Sequence, residues 1–284
     1  HIAIKTTLYG SIASFFITKK IKIINAITGL GFLYTNNDYN FIKKIVTFFI
    51  KILFKIKTSY FIFQNPDDFI FFQNLGVLKN NYIIIKGAGV DHLLYKQKAN
   101  YKNNSKIRIV LVARMLKDKG VMEFIQAALI LKSKYFYKSE FILVGGIDLN
   151  NPSCLSANEL NSLCDNQYIK WVGHQDNIKE IYTNSDIVCL PSYREGIPKS
   201  LIEAMAIGCP IITTNAVGCK ECVDDGENGF IVPIKDSVKL ATCIEKLICD
   251  EDLRNKMGIN SRLKMEREMK LSYVIESTFK FYNI

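Results

Sequence analysis

From residue 107 onward, short apolar runs alternate with stretches of helical periodicity, and this alternation constrains the fold more than any other feature. IRIVLV (107–112), EFILV (140–144), IKWV (169–172), IVCL (187–190), PIIT (210–213) and FIV (230–232) read as buried strands. EFIQAALILK (123–132), IKEIY (178–182) and LIEAMAI (201–207) read as the helices between them. Strands joined through helices pair in parallel, so the pattern predicts an α/β unit with helices on both faces of its sheet. Ligands of such sheets sit beyond the carboxyl ends of the strands, where loop amides and helix N-termini favour anions and carboxylates accept from hydroxyls.

The stretch PSYREGIPKSLIEAMAIGCPIITT (191–214) occupies such a position. Pro198 stands at the expected start of a helix over 199–207, which places Glu195 in the preceding loop and Glu203 on the helix, eight positions later. By spacing alone, Glu203 can equally be a helix-face residue and Glu195 a solvated loop acid. The surrounding residues carry the further reading. The 191–214 stretch closely resembles the donor-binding motif of the group 1 (family 4) retaining glycosyltransferases, which have the two-domain GT-B fold. LVARMLKDKG (111–120) resembles that family's strand and loop bearing an arginine and a lysine for the nucleotide diphosphate. FILVGGID (141–148), IKWVGHQDNIKEIY (169–182) and VGCKECVDDGENGFIVP (217–233) resemble its later segments in order and spacing. Upstream, ITGLGFLYT (27–35), NPDD (65–68) and KGAGVD (86–91) extend the resemblance over nearly the whole chain.

The resemblance implies an α/β, GT-B type architecture of two Rossmann-like domains. It implies a retaining transfer from a nucleotide sugar, most simply a UDP-sugar, to a lipid-linked or surface-glycan acceptor in bacterial lipopolysaccharide or capsule assembly. Arg114 and Lys119 would neutralise charge developing on the leaving diphosphate. Glu195 would contact the donor sugar and Glu203 the ribose, with neither acting as a classical nucleophile. The amides of Gly196 and Ile197 would hold sugar or phosphate. Gly145, Gly146 and Asp148 would shape a turn near the nucleotide, and Val172, Gly173 and His174 would lie by the base. No metal or other cofactor is expected. The DED run at 250–252 reads as a helix N-cap rather than a metal-binding motif.

At 284 residues the chain is short for two full halves of about 150 residues or more each. Only three strand-like runs precede Gly87 (21–25, 59–64 and 82–86), and the first residue is His1. The expectation is a chain truncated at the front: an incomplete acceptor-side domain over 1–88, a linker over 89–106, a donor domain over 107–265, and a tail over 266–284 returning to the first domain. An internal break in that terminal helical stretch is expected near Met257-Gly258. His1 stands ahead of a Lys and a YGS segment, as in the family's acceptor domain, and is given no catalytic role. A truncated, non-catalytic remnant that binds nucleotide or a partner protein is the alternative. An epimerase or a glycogen-type synthase of the same fold is disfavoured by the 195/203 motif and by the length.

Net charge is +10, yet residues 1–110 hold 16 Lys plus Arg against 4 Asp plus Glu, so the basic character belongs to the front. No nucleic-acid-reading motif accompanies it, which leaves anionic lipid or a lipid-linked phosphate as the better match and excludes nucleic acid as the expected partner. FIKKIVTFFIKILFKIK (41–57) forms a basic amphipathic helix on a helical wheel. Lys43, Lys44, Thr47, Lys51 and Lys55 lie on one arc, with Ile42, Ile45, Val46, Phe49, Ile52, Leu53 and Ile56 opposite. It reads either as a cover for the first sheet or as an interfacial helix on an anionic leaflet. Eight scattered cysteines favour reduced thiols and a cytoplasmic setting, at most at the inner face of the membrane. The Cys219/Cys222 pair reads as coincidence, because no second pair stands at ligand spacing.

Overall fold

The computed structural model describes residues 1–14, 16–17, 21–30, 40–54, 59–98 and 106–283. The front of the chain forms α1 (Ile4–Ser14), β1 (Ile23–Ile27), α2 (Asn40–Leu53), β2 (Ser59–Phe63), α3 (Pro66–Asn74) and β3 (Tyr82–Ile84). Its strands pair in parallel in the order β1-β2-β3. One face of that sheet is packed by an aromatic cluster in which Phe54 stacks on Phe72 and both meet Phe61. Each fully buried ring contributes about 1.5–3 kcal/mol. Helix α3 starts on a strong local signal: Asn65 caps it by accepting from the Asp68 N–H at 2.8 Å, and Pro66 takes the first helical position.

Helix α2 sits on this sheet differently from the wheel's division. Ile50, Leu53 and Phe54 turn inward, with Val46 packed against the same core, while Phe41, Ile42, Ile45, Phe48, Phe49 and Ile52 face outward. The expected apolar face is therefore split, because a narrow seam suffices to cover a three-stranded sheet and the wheel does not say which edge it uses. Lys55 and Ile56 of the expected helix lie outside the described residues.

The second half follows the predicted alternation: β4 (Ile107–Val112), α4 (Val121–Tyr135), β5 (Ser139–Val144), α5 (Ala157–Leu163), β6 (Ile169–Trp171), α6 (Ile178–Thr183), β7 (Ile187–Leu190), α7 (Lys199–Ile207), β8 (Ile211–Thr214), β9 (Gly229–Val232), α8 (Ser237–Cys249), α9 (Glu251–Glu268) and α10 (Leu271–Tyr282). Its six strands are all parallel, in the order β6-β5-β4-β7-β8-β9. From β4 the chain winds outward through β5 and β6, then returns to the other side of β4 and winds outward through β7, β8 and β9. The crevice where the winding reverses, beyond the carboxyl ends of β4 and β7, is where doubly wound sheets bind ligands.

The Asp250 side chain accepts from the Leu253 N–H at 2.9 Å and so caps α9. The break expected near Met257-Gly258 is absent: both residues are buried inside a continuous α9, and the chain bends instead at Met269-Lys270, where Lys270 is extended. Burial of this part of α9 in the packed second half tolerates a glycine that an isolated helix would disfavour. Residues 90–98 lie along the second half. Buried Arg262 donates to the carbonyls of His92, Tyr95 and Ala206, and the Lys98 N–H bonds the Ile207 carbonyl at 3.0 Å. Beyond the bend, α10 crosses to the first half, where Phe281 packs on Tyr60 and the Tyr282 carbonyl accepts from Lys22 at 2.7 Å. No helix among the described residues is long and apolar enough to cross a membrane.

Candidate active site

Two loops meet at the reversal point. The loop after β4 ends in a 3-10 turn over Lys117–Lys119 that Gly120 closes in the left-handed region (φ 74°). A Cβ on Gly120 would lie 2.1 Å from the Pro191 carbonyl oxygen, so only glycine lets this turn and the loop after β7 approach so closely. The approach brings Lys119 Nζ to 2.5 Å from Glu195 Oε1, to which the Ser192 hydroxyl also donates at 2.8 Å. Tyr193 N–H bonds the Asp118 carbonyl at 2.9 Å and ties the loops a second time. Helix α7 follows with no side-chain cap on its first turn, so its leading N–H groups remain available for an anion.

These groups border a cleft of about 320 Å³ between the two halves. Arg114, Lys119, Glu195 and Gly196 line it from the second half, together with Asp118, Asn151 and Arg194; Ala3, Thr28, Gly29 and Leu30 line it from the first. Arg114 is exposed, its Nη1 held 2.5 Å from Asp148 Oδ2 in the loop after β5. The cleft thus sets three cations (Arg114, Lys119 and Arg194) and two carboxylates (Asp118 and Glu195) around a space open to solvent. That arrangement suits a ligand with a polyanionic end and a hydroxyl-bearing end.

The other expected residues lie around this centre. Gly145 and Gly146 follow β5, with the Gly145 N–H bonded to the Gly173 carbonyl at 2.8 Å. A Cβ on Gly146 would come 3.7 Å from that of His174. Val172, Gly173 and His174 therefore form one exposed patch with the β5 turn, outside the residues lining the cleft. Ile197 is buried in the core beneath α7. Glu203 is nearly buried on the second turn of α7 and is not part of the lining. Its Oε1 accepts from the Tyr95 hydroxyl at 3.1 Å and lies 3.5 Å from Lys199 Nζ. Burial, then the Glu203 carboxylate, pushes the Tyr95 hydroxyl up to about 12. Cys219 and Cys222 are buried free thiols; burial pushes Cys219 up to about 12 and Cys222 well above the usual range. Among the described residues no group of three or more His, Cys, Asp or Glu side chains is placed to hold a metal ion.

Sequence reasoning did not single out Arg194, Thr28, Gly29 or Tyr95. Only NPDD and ITGLG carried a signal for the first half's share of the site, and Tyr95 carried none. Asp68, fully buried, pairs with Arg194 at 2.5 Å; burial holds its carboxyl above the ordinary range, against the pull of Arg194 and Asn65.

Residues 95–264 match the family model for glycosyl transferases group 1. The chain is 34% identical over 249 residues to the N,N'-diacetylbacillosaminyl-diphospho-undecaprenol alpha-1,3-N-acetylgalactosaminyltransferase of Campylobacter jejuni, covering 83% of this chain and 63% of that protein. It is 32% identical over 209 residues to the capsular polysaccharide biosynthesis glycosyltransferase CapM of Staphylococcus aureus, covering 74% and 54% respectively. The chain thus spans less than two thirds of the length of either relative. Among solved structures, Anabaena Alr3699/HepE in complex with UDP superposes with a TM-score of 0.83 at 19% identity, over 98% of this chain and 76% of that one.

Proposed function

The chain belongs to the group 1 glycosyl transferases and has their GT-B type α/β fold; from that premise we propose that it transfers a sugar from a UDP-sugar, with retention, to a polyprenyl-linked or surface-glycan acceptor in bacterial polysaccharide assembly. The observation that carries this reading is the convergence of Arg114, Lys119 and Glu195 from two loops onto the cleft at the reversal point. Lys119 and Arg114 face the diphosphate and take up the charge that develops as it leaves, and the uncapped start of α7 adds N–H donors to the same anion. No metal is called on in this scheme. Glu195, held by Lys119 and Ser192, presents its carboxylate to the donor sugar hydroxyls. The Gly196 backbone borders the same space, and Ile197, which follows it, lies outside the lining. The departing phosphate assists the incoming hydroxyl on the same face of the sugar, so no enzymic nucleophile is required.

Glu203 serves the ribose. Both of its side-chain contacts fall on Oε1, which leaves Oε2 to accept from a hydroxyl. The Gly145-Gly146 turn and the patch of Val172, Gly173 and His174 flank the base. The name of the Campylobacter relative supports an N-acetylhexosamine donor and an undecaprenyl diphosphate-linked acceptor, and that of the Staphylococcus relative supports a role in capsular polysaccharide assembly. The outward apolar face of α2, with Lys44 and Lys51 on the exposed side, suits contact with an anionic leaflet and supports a reading in which the protein works in the cytoplasm at the inner membrane face.

Calorimetric titration with UDP, with GDP as a comparison, tests the donor site. Micromolar binding of UDP that Lys119→Ala weakens by about 10- to 100-fold, as loss of a charge-assisted phosphate contact should, is the expected result. Absence of UDP binding by the folded chain would overturn the reading.

A further inference from the structure

We propose that the Asn65-Pro66-Asp67-Asp68 turn of the first half is a positioning element for the Glu195 loop of the second, so that the cleft takes its ligand-ready shape only when the two halves are apposed. The proposal rests on the reading of that cleft as a donor site. Asn65 and Asp68 are each fully buried, although both are polar. Asn65 spends its carbonyl on the Asp68 N–H, and its Nδ2 donates at 3.0 Å both to Asp68 Oδ2 and to the Gly196 carbonyl. The second Asp68 oxygen receives Arg194 Nη2 at 2.5 Å. Two side chains from the cap of α3 therefore grip the residues on either side of Glu195, from a stretch of chain some 130 positions earlier.

The grip is reinforced by shape. A Cβ on Gly196 would meet the Thr28 carbonyl oxygen at 1.9 Å and Gln64 Oε1 at 2.8 Å, so at this point the donor loop lies directly against the backbone of the first half. From the opposite side the Glu195 N–H bonds the Val217 carbonyl at 2.9 Å. Glu195 thus stands on a loop clamped between the loop after β8 and the first half, with its carboxylate aimed at Lys119. A carboxylate with no solvent exposure is poorly placed to act as a stability device, because desolvation offsets most of the attraction in a buried ion pair. Its geometry does fix one loop conformation, since an unpaired Arg194 or Asp68 would be buried at high cost. The neighbouring pair of Asp67 and Lys220 also spans the halves but is far more exposed, 32% and 39%, and contributes little.

The test uses the full chain and the variants Asp68→Asn, Arg194→Gln, their combination, and Asp67→Asn. Hydrogen–deuterium exchange of peptides covering 192–197 is measured without ligand, and UDP affinity is measured by calorimetry. Each of the first two variants should speed exchange of that segment about 100-fold or more and weaken UDP by a similar factor, the lower end of what a stranded buried charge causes. The double variant should recover part of both, because neither charge is left alone. Asp67→Asn should change neither. Gly196→Ala strands no charge and forces the same separation sterically, so it serves if a charge variant fails to fold. Wild-type exchange and wild-type UDP affinity in Asp68→Asn, Arg194→Gln and Gly196→Ala would overturn the proposal. If the unaltered chain itself does not bind UDP, the donor-site reading fails while the exchange measurement still decides whether the turn holds the loop.

Discussion

Replacing Gly120 by alanine should separate the two loops that make the candidate site. Two terms set the magnitude. Gly120 sits at φ 74°, in the left-handed region, where a side chain costs about 1–2 kcal/mol. The new Cβ would lie 2.1 Å from the Pro191 carbonyl oxygen, against 3.4 Å for ordinary contact, a shortfall of about 1.3 Å. Closing that gap in a packed interior adds about 1–3 kcal/mol. Together these give about 2–5 kcal/mol, which for a domain of this size lowers the melting temperature by about 5–15 °C. A loop withdrawn by that distance also pulls Lys119 out of hydrogen-bonding range of Glu195, now 2.5 Å away, so UDP affinity should fall with stability. Scanning calorimetry and UDP titration measure both. Gly226→Ala is the control: it shares a positive φ, 81°, but nothing lies within 4 Å of its Cβ, so only the backbone term should register. If Gly120→Ala were no worse than Gly226→Ala, or left UDP binding intact, close approach of the loops would not be what the glycine serves.

Three further expectations follow from the same geometry. Tyr95→Phe removes the hydroxyl that holds Glu203, which should lower stability by about 0.5–1.5 kcal/mol in urea unfolding and weaken UDP several-fold; unchanged affinity would detach Tyr95 from the site. Glu268 is desolvated, yet hydrogen bonds from Lys86 and Arg267 outweigh this and hold its carboxyl down to about 2. A depressed acid contributes stability above its unfolded value near 4.5 that is lost as pH falls toward 2. The stability gap between the unaltered chain and Glu268→Gln should therefore be constant from pH 7 to 5 and close below that, and a gap that widens in acid would contradict the assignment. Replacing Lys44 and Lys51 by glutamine should weaken sedimentation with anionic liposomes by about 30-fold, at about 1 kcal/mol per cation near the surface; equal sedimentation would remove α2 from membrane contact.

Much of the second half was legible in the sequence because its information is local. Strand runs such as IVCL bury both faces, so they read as strands wherever they stand, and the alternation with helices leaves a parallel sheet as the solution. The Asp250 cap was legible for the same reason, since capping involves only residues three positions apart. The placement of Arg114, Lys119 and Glu195 beyond strand ends followed from their position in the chain. Their convergence did not: that β4 and β7 are neighbours is a property of the winding, and the 2.5 Å contact of Lys119 with Glu195 exists only because the sheet order brings two distant loops together. Helical periodicity described α2 as amphipathic but could not choose its buried seam, which the shape of the underlying sheet decides. Gly258 read as a break because a lone helix disfavours glycine, whereas in the packed second half it is buried within a continuous α9 and the bend falls at Met269-Lys270. The grip of Asn65 and Asp68 on Arg194 and Gly196 was least legible of all. In the sequence NPDD was only one more segment of the resemblance, and only the apposition of the two halves turns the cap of α3 toward the loop that carries Glu195.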